Sequence, residues 1–482
     1  MQRGLLPLAC LLLMSTACTI GPQYRRPEAH VPVAYKELPP ASFQAAEGWK
    51  LAQPDDAISR GKWWEIFRDP ELNALQEQVD ISNQTLAVAE AQLRGARAAI
   101  GVARAALYPT VTGSVSVTGE RLSQNRAGVT NPSSEVRATY LLPLDVSYEI
   151  DVWGRVRRNV EANTASAQAS AADLETARLS IHAELAVNYF ALHGLDAQRQ
   201  LLDFAITAFE KALELTTNRY NQGVASQVEV LQARTQLEIT RAQAIDTGVQ
   251  RAQLEHAIAI LLGKPPAEFS IPPSPITVIP PVIPIGLPSE LLERRPDIAT
   301  AERRMAAANE QIGIAQTAFY PTITLGGTVG LESSSLTNLF SVPSAIWSLG
   351  GSLVQILFDG GRRQALTEQA RAFYDATVAT YRQTVLTAFQ NVEDNLSALR
   401  ILEAEAQQQA KAVEAAEAVL FQSLNRYKGG VTTYLEVIIA QSAALPAERT
   451  AIDLLTRRMT ATVLLIKALG GVWGTPPTES QG

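Results

Sequence analysis

Two hydrophobic periods alternate along this chain. From Thr110 to Gly119, Val111, Val115 and Val117 fall on one side of an extended backbone, with Thr110, Thr112, Ser114, Ser116 and Thr118 on the other. From Ala138 to Ile150 the apolar set is Tyr140, Leu142, Leu144, Val146, Tyr148 and Ile150, with Thr139, Asp145, Ser147 and Glu149 opposite. A period of two marks strands with one apolar face, expected here at about 109–120 and 137–150. Ile323, Leu325, Val329 and Leu331 alternate with Thr322, Thr324 and Thr328 and predict a strand at about 321–332. A less regular one is expected at about 345–358. Elsewhere the period lengthens. From Leu174, steps of three and four pick out Leu174, Arg178, Ile181, Leu185, Asn188, Leu192, Leu195, Arg199, Leu202, Ile206, Phe209 and Leu213, a mostly apolar seam. Such a seam belongs to long helices packed side by side. One helix from Arg155 to Asn221 would be about 100 Å long, too long for a compact domain and suited to a tube wall.

The pattern occurs twice. Arg219-Tyr220-Asn221-Gln222-Gly223-Val224 returns as Arg426-Tyr427-Lys428-Gly429-Gly430-Val431 at an offset of 207, which also maps Gly154-Arg155 onto Gly361-Arg362. Tyr108-Pro109-Thr110 returns as Tyr320-Pro321-Thr322 at an offset of 212. Each copy reads helix, two strands, very long helix, helix. The boundaries expected are a first repeat at 69–263, a second at 289–471 and a tail at 472–482. Between the repeats, 264–288 is proline-rich and reads as an extended linker, because proline cannot continue a helix.

Charge and cysteine usage narrow the chemistry. The chain of 482 residues has a formal net charge of -7 and two cysteines, both before residue 20. Phosphate neutralisation needs a basic surface, so nucleic acid is not the expected partner. There is no disulfide framework, and no two of His30, His182, His193 and His256 have the spacing of a metal motif. A G-x-S-x-G elbow, an H-E-x-x-H helix and a phosphate loop are all lacking. No cofactor is expected, and no enzyme.

The N-terminus reads as a signal peptide over 1–17, with Arg3, an apolar run from Leu5 to Met14 and small residues before Cys18. A cysteine placed there looks like a bacterial lipobox, although Ser15 stands where leucine is usual. The expectation is a lipidated segment, 18–68, anchored to membrane through acyl chains on Cys18. No later apolar run has the roughly 18–20 residues of a transmembrane helix, so any span must be made by strands. An amphipathic strand in lipid needs both edges paired. Four strands cannot close a barrel, since the smallest single-chain barrels have about eight. The chain must therefore continue its sheet into copies of itself.

Further motifs carry a family likeness: Pro22-x-Tyr24-x-x-Pro27 after Cys18, Trp63-Trp64-x-x-Phe67-x-Asp69-Pro70-x-Leu72, and Glu149-x-Asp151-x-Trp153-Gly154-Arg155. Leu287-Pro288-Ser289-Glu290-Leu291-Leu292-x-Arg294-Arg295-Pro296-Asp297-Ile298, Phe358-Asp359-Gly360-Gly361-Arg362 and Ala468-Leu469-Gly470-Gly471 complete the set. In order and over the whole length, the chain resembles the TolC-like outer-membrane factor family, in its nodulation-type lipoprotein branch. That resemblance implies an α+β membrane protein, trimeric, with a 12-stranded β-barrel on a 12-helix α-barrel. It implies an outer-membrane exit duct extending into the periplasm, docked to a periplasmic adaptor and an inner-membrane pump of the resistance–nodulation–division type. A protein-secretion duct and a lipid-anchored coiled-coil spacer are the alternatives.

A duct must close somewhere. In similar ducts the second helix-to-helix turn carries a tyrosine and the following helix inward carboxylates; the matching residues are Tyr427 and Glu436, with Ile439 where a second carboxylate is common. Tyr220 and Glu229 are the first-copy counterparts. Ser226-x-x-Glu229 and Thr433-x-x-Glu436 also read as capping boxes, so a capping role stands beside the gating one. Asn188 and Asn395 sit at equivalent seam positions, where a polar residue fixes register between helices, and Pro446 is expected to kink the last helix.

Overall fold

The computed structural model describes residues 19–37, 61–121, 123, 136–276, 278–281, 283 and 294–471. Cys18, the leader, the tail at 472–482 and the start of the Leu287–Ile298 motif lie outside the described residues. The elements are α1 (Pro70–Ser82), α2 (Gln84–Ala105), β1 (Thr110–Gly113), β2 (Ser116–Glu120), β3 (Arg137–Glu149), α3 (Arg155–Asn221) and α4 (Gln227–Leu261). After the linker come α5 (Pro296–Thr317), β4 (Thr322–Ser333), β5 (Ala345–Val354), α6 (Arg362–Lys428) and α7 (Tyr434–Ala468). The chain divides into two compact units.

The first unit (1–28, 92–170 and 301–381) carries one antiparallel sheet in the order β1-β3-β4-β5, with β2 also on β3. The strand expected at 109–120 is broken. β1 and β2 lie on one register against β3, Gly113 opposite Leu144 and Ser116 opposite Leu141, and the gap falls opposite Pro143. Proline has no N–H to give the ladder; only Ser114 N donates there, to the Pro143 carbonyl at 3.2 Å. On its other side Pro143 faces Gly330. A Cβ on Gly330 would lie 2.7 Å from Pro143 Cα, so only glycine fits beside that backbone.

Strands turn into helices at two matched corners. Asp151 accepts from Val156 N at 3.0 Å and Arg157 N at 2.9 Å, while Gly154 takes φ +84°. Asp359 accepts from Gly361 N and Arg363 N, both at 3.1 Å, while Gly361 takes φ +89°. Each carboxylate satisfies amides that the first helical turn leaves bare. The segment after Cys18 docks on this unit. Ile20 N donates to Trp153 O at 3.2 Å, and Pro22 O accepts from Arg158 Nη2 and Asn309 Nδ2 at 3.2 Å each. Arg158 is held in turn by Glu310 at 2.5 Å, a buried pair.

The second unit (29–91, 171–300 and 382–482) is helical. Trp63, Trp64 and Phe67 are buried in a 3-10 turn, with Trp64 stacked on His182 at 4.4 Å between ring centres. Asp69 caps α1, accepting from Glu71 N and Leu72 N at 3.0 and 3.1 Å, with Pro70 at the first helical position. The linker is pinned: Arg251 Nη2 donates to Ile271 O at 2.6 Å and Ser274 N to Asp196 at 3.1 Å. α7 runs unbroken through Pro446. Asn395 spends its amide on the Asn391 carbonyl of its own helix, at 2.6 Å, rather than on a neighbouring helix.

Candidate gate at the paired helical turns

Two helix-to-helix turns of the second unit carry the expected gate residues. Both end their long helices by one device. Gly223 N bonds to Tyr220 O and Val224 N to Arg219 O, each at 2.9 Å; Gly430 N bonds to Tyr427 O and Val431 N to Arg426 O, each at 3.0 Å. This is the Schellman closure, which needs a left-handed residue; Gly223 and Gly430 supply it at φ +76° and +73°. The recurrence of Arg-Tyr-x-x-Gly at an offset of 207 is thus the trace of a turn.

The two copies then diverge. Tyr427 is buried, 1% exposed, in a cluster with Tyr434, Val437, Ala212 and Ala233. Its ring centre lies 5.3 Å from that of Tyr434. Its counterpart Tyr220 is exposed. Arg219, in the last turn of α3, lies over Tyr427 with its guanidinium carbon 4.6 Å from the ring centre, and its Nη1 donates to Tyr427 O at 2.8 Å. One arginine thus ties the last turn of α3 to the last turn of α6 through both the ring and the backbone.

Burial raises the Tyr427 hydroxyl above its ordinary value, and the Glu229 carboxylate adds to that while Arg219 opposes it. Burial pushes Tyr434 up to about 12. The side-chain atoms Tyr427 Oη, Tyr434 Oη, Gln441 Oε1 and Arg219 Nε are all buried without a hydrogen bond of normal geometry. Buried polar atoms left so are costly, and here they gather around the Tyr427–Tyr434 pair.

The carboxylates differ as well. Glu229, half-buried, accepts from Ser226 N at 3.4 Å, the reciprocal arm of a capping box. Glu436 is exposed, and the Thr433 side chain makes no cap bond. Capping therefore accounts for Glu229 better than for Glu436. Ile439 is 63% exposed. Sequence reasoning did not single out Arg219 or Tyr434. Arg219 carries a signal, since it recurs as Arg426, but Tyr434 has none, because its first-copy counterpart is Gln227.

Comparison with known proteins places the chain in a family. The model of the family described as "Outer membrane efflux protein" matches residues 75–264 and 287–471. The chain is 31% identical to the probable efflux pump outer membrane protein TtgC of Pseudomonas putida, over 98% of this chain and 96% of the relative. It is 32% identical to the outer membrane protein OprJ of Pseudomonas aeruginosa, over 98% and 97%. Among solved structures, the outer-membrane channel OprN aligns with a TM-score of 0.85 at 32% identity, covering 95% of this chain and all of the other.

Proposed function

The chain belongs to the outer membrane efflux protein family, and from that premise we propose that it is the exit duct of a tripartite efflux pump. Three copies form one passive channel for small molecules, and the energy comes from an inner-membrane pump of the resistance–nodulation–division type through a periplasmic adaptor. The observation that carries the reading is the open sheet. Its polar face presents Thr112, Asp145, Thr328 and Ser348 in one cross-strand row, and its apolar face presents Leu144, Val329 and Trp347. Such a sheet suits lipid on one side and a water-filled lumen on the other, and among the described residues both of its outer edges are bare.

The N-terminal anchor fits the same arrangement. Thr19 packs at the β3–α3 corner, where a Cβ on Gly154 would lie 3.4 Å from Thr19 Cα. Acyl chains on the preceding Cys18 would anchor the protein to the membrane. In the periplasm Tyr220, Glu229, Tyr427, Glu436 and Ile439 form the closable end: Tyr427 clamps each subunit internally, and Glu436 and Ile439 meet their copies around the axis.

Planar bilayers test the duct directly. Purified wild-type protein gives discrete ion conductance; its absence rejects the reading. A deletion strain becomes sensitive to exported compounds. A strain that keeps its drug tolerance but loses a secreted protein would transfer the duct to protein export.

A further inference from the structure

A cleft of about 370 Å³ opens in the second unit where the start of α1, the middle of α3 and the linker meet, a volume within the range of small-molecule pockets. His193 lines it from α3, about 39 Å along that helix from Arg219 of the paired turns. The residue is 4% exposed. Its Nδ1 lies 2.6 Å from the Ser274 carbonyl oxygen, with an Asp196 carboxylate oxygen further off at 3.7 Å. Both neighbours are acceptors, so Nδ1 carries the ring's proton and donates it. A carbonyl behind Nδ1 also fixes the ring, so that Nε2 points one way. In the neutral ring Nε2 then offers a lone pair, and it is buried with no hydrogen-bond partner among the described residues. A buried acceptor left without a donor is costly.

Donors around the cleft are committed elsewhere. Tyr189, whose ring centre is 4.3 Å from that of His193, donates its hydroxyl to Asp69 at 2.8 Å. The amides of Glu71 and Leu72 also go to Asp69. The start of α1 is thus already capped by a carboxylate, which disfavours a bound anion. Burial, and then the bond to Asp69, raise the Tyr189 hydroxyl above its ordinary value; Glu71 adds to this, so its carboxylate faces the same oxygen. Two carboxylates therefore stand against the single guanidinium of Arg68. Among the described residues no three histidine, cysteine, aspartate or glutamate side chains converge as a metal set. Phe190, Ile276 and Val278 supply an apolar wall.

We propose that this cleft binds a small organic ammonium compound, an amine with a compact apolar body. Its N–H donates to His193 Nε2, the surplus carboxylate of Asp69 and Glu71 balances its charge, and its body rests on Phe190, Ile276 and Val278. Ser274 and Ile276 belong to the linker between the repeats, and the cleft sets them against α1 and α3. An occupant therefore stabilises the seating of the linker, and by mass action the protein melts higher as the amine is added. The cleft lies apart from the gate, so the duct stands whether or not the amine binds.

Benzylamine, benzyl alcohol and benzoate share one body and differ in charge. Each is titrated calorimetrically at pH 8 into the purified full-length protein in detergent, against a micelle blank. Benzylamine should bind saturably, one per chain and at least about tenfold tighter than benzyl alcohol, and benzoate should not bind. His193→Phe removes the acceptor and keeps a ring; it should weaken benzylamine by about tenfold or more, the loss expected for a hydrogen bond to a charged group. Glu71 is exposed and only its amide serves the cap, so Glu71→Lys keeps the fold, reverses the local charge and should weaken benzylamine about as much; it decides the matter if the His193 variant does not fold. Benzyl alcohol or benzoate binding as tightly as benzylamine overturns the ammonium assignment. Unchanged benzylamine affinity in either folded variant, or no saturable binding up to about 10 mM, overturns the site.

Discussion

Arg219 donates to the carbonyl oxygen of Tyr427 at 2.8 Å while lying over the same residue's ring. The two contacts tie together the ends of α3 and α6. A charge-assisted hydrogen bond and a half-exposed cation–π contact together stabilise by about 2 kcal/mol. Arg219→Ala should therefore shift the closed–open balance by roughly thirtyfold. Single-channel recording should show a higher open fraction at low voltage, and an unchanged open fraction would remove the clamp.

Glu436 is exposed and free of the cap bond that holds Glu229. A threefold ring of such carboxylates concentrates negative potential at a constriction. Glu436→Ala should raise leak conductance and reduce cation preference, while Glu229→Ala should mainly fray the start of α4, by about 1 kcal/mol. Reversal potentials in a salt gradient separate the two. Equal effects of the two substitutions would reject the assignment.

Tyr434 is fully packed, yet its hydroxyl lacks a hydrogen bond of normal geometry. Tyr434→Ala leaves a cavity and should cost about 3–5 kcal/mol. Tyr434→Phe removes only the unsatisfied hydroxyl and should be neutral or stabilising. Thermal melts in detergent check the pair; a large loss for the phenylalanine variant would reveal a partner that the isolated chain does not form.

Gly330 and Gly350 lie on neighbouring strands with opposite prospects. A Cβ on Gly330 collides with the backbone at Leu142 and Pro143, whereas one on Gly350 meets nothing within 4 Å. Gly330→Ala should prevent β3–β4 pairing and cut recovery in the outer membrane by an order of magnitude. Gly350→Ala should not. Equal recovery would mean that the strands tolerate a shift.

Burial, and then the neighbouring Glu417, raise the Glu448 carboxyl above its ordinary value. A raised value means that the fold holds this proton more tightly than the unfolded chain does. That contribution is complete below about pH 4.5 and falls away as the pH climbs through the folded value. Glu448→Gln should therefore melt higher than wild type at pH 7, and the gap should close by pH 4. A gap that persists at pH 4 would assign the effect to something other than charge.

The strands, the long helices and the two copies were legible because period and offset are properties of the chain itself. The break opposite Pro143 was not read, although the proline was in view: its cost depends on which neighbour needs the missing N–H. Tyr427 and Tyr220 look equivalent in sequence, yet one is buried and the other exposed. Their difference comes from the partners each meets, Tyr434 and Val437 for Tyr427, and such long-range contacts leave no periodic mark. Glu229 and Glu436 share a motif for the same reason and differ in whether the reciprocal bond forms.

Because both hairpins obey one register, the two repeats carry the same pairing instructions. Pro143 and Gly330 face one another across the junction of the two repeats. A Cβ on Gly330 would meet the backbone of both Leu142 and Pro143, so the partner strand, and not a turn, is what leaves no room for a side chain at this position.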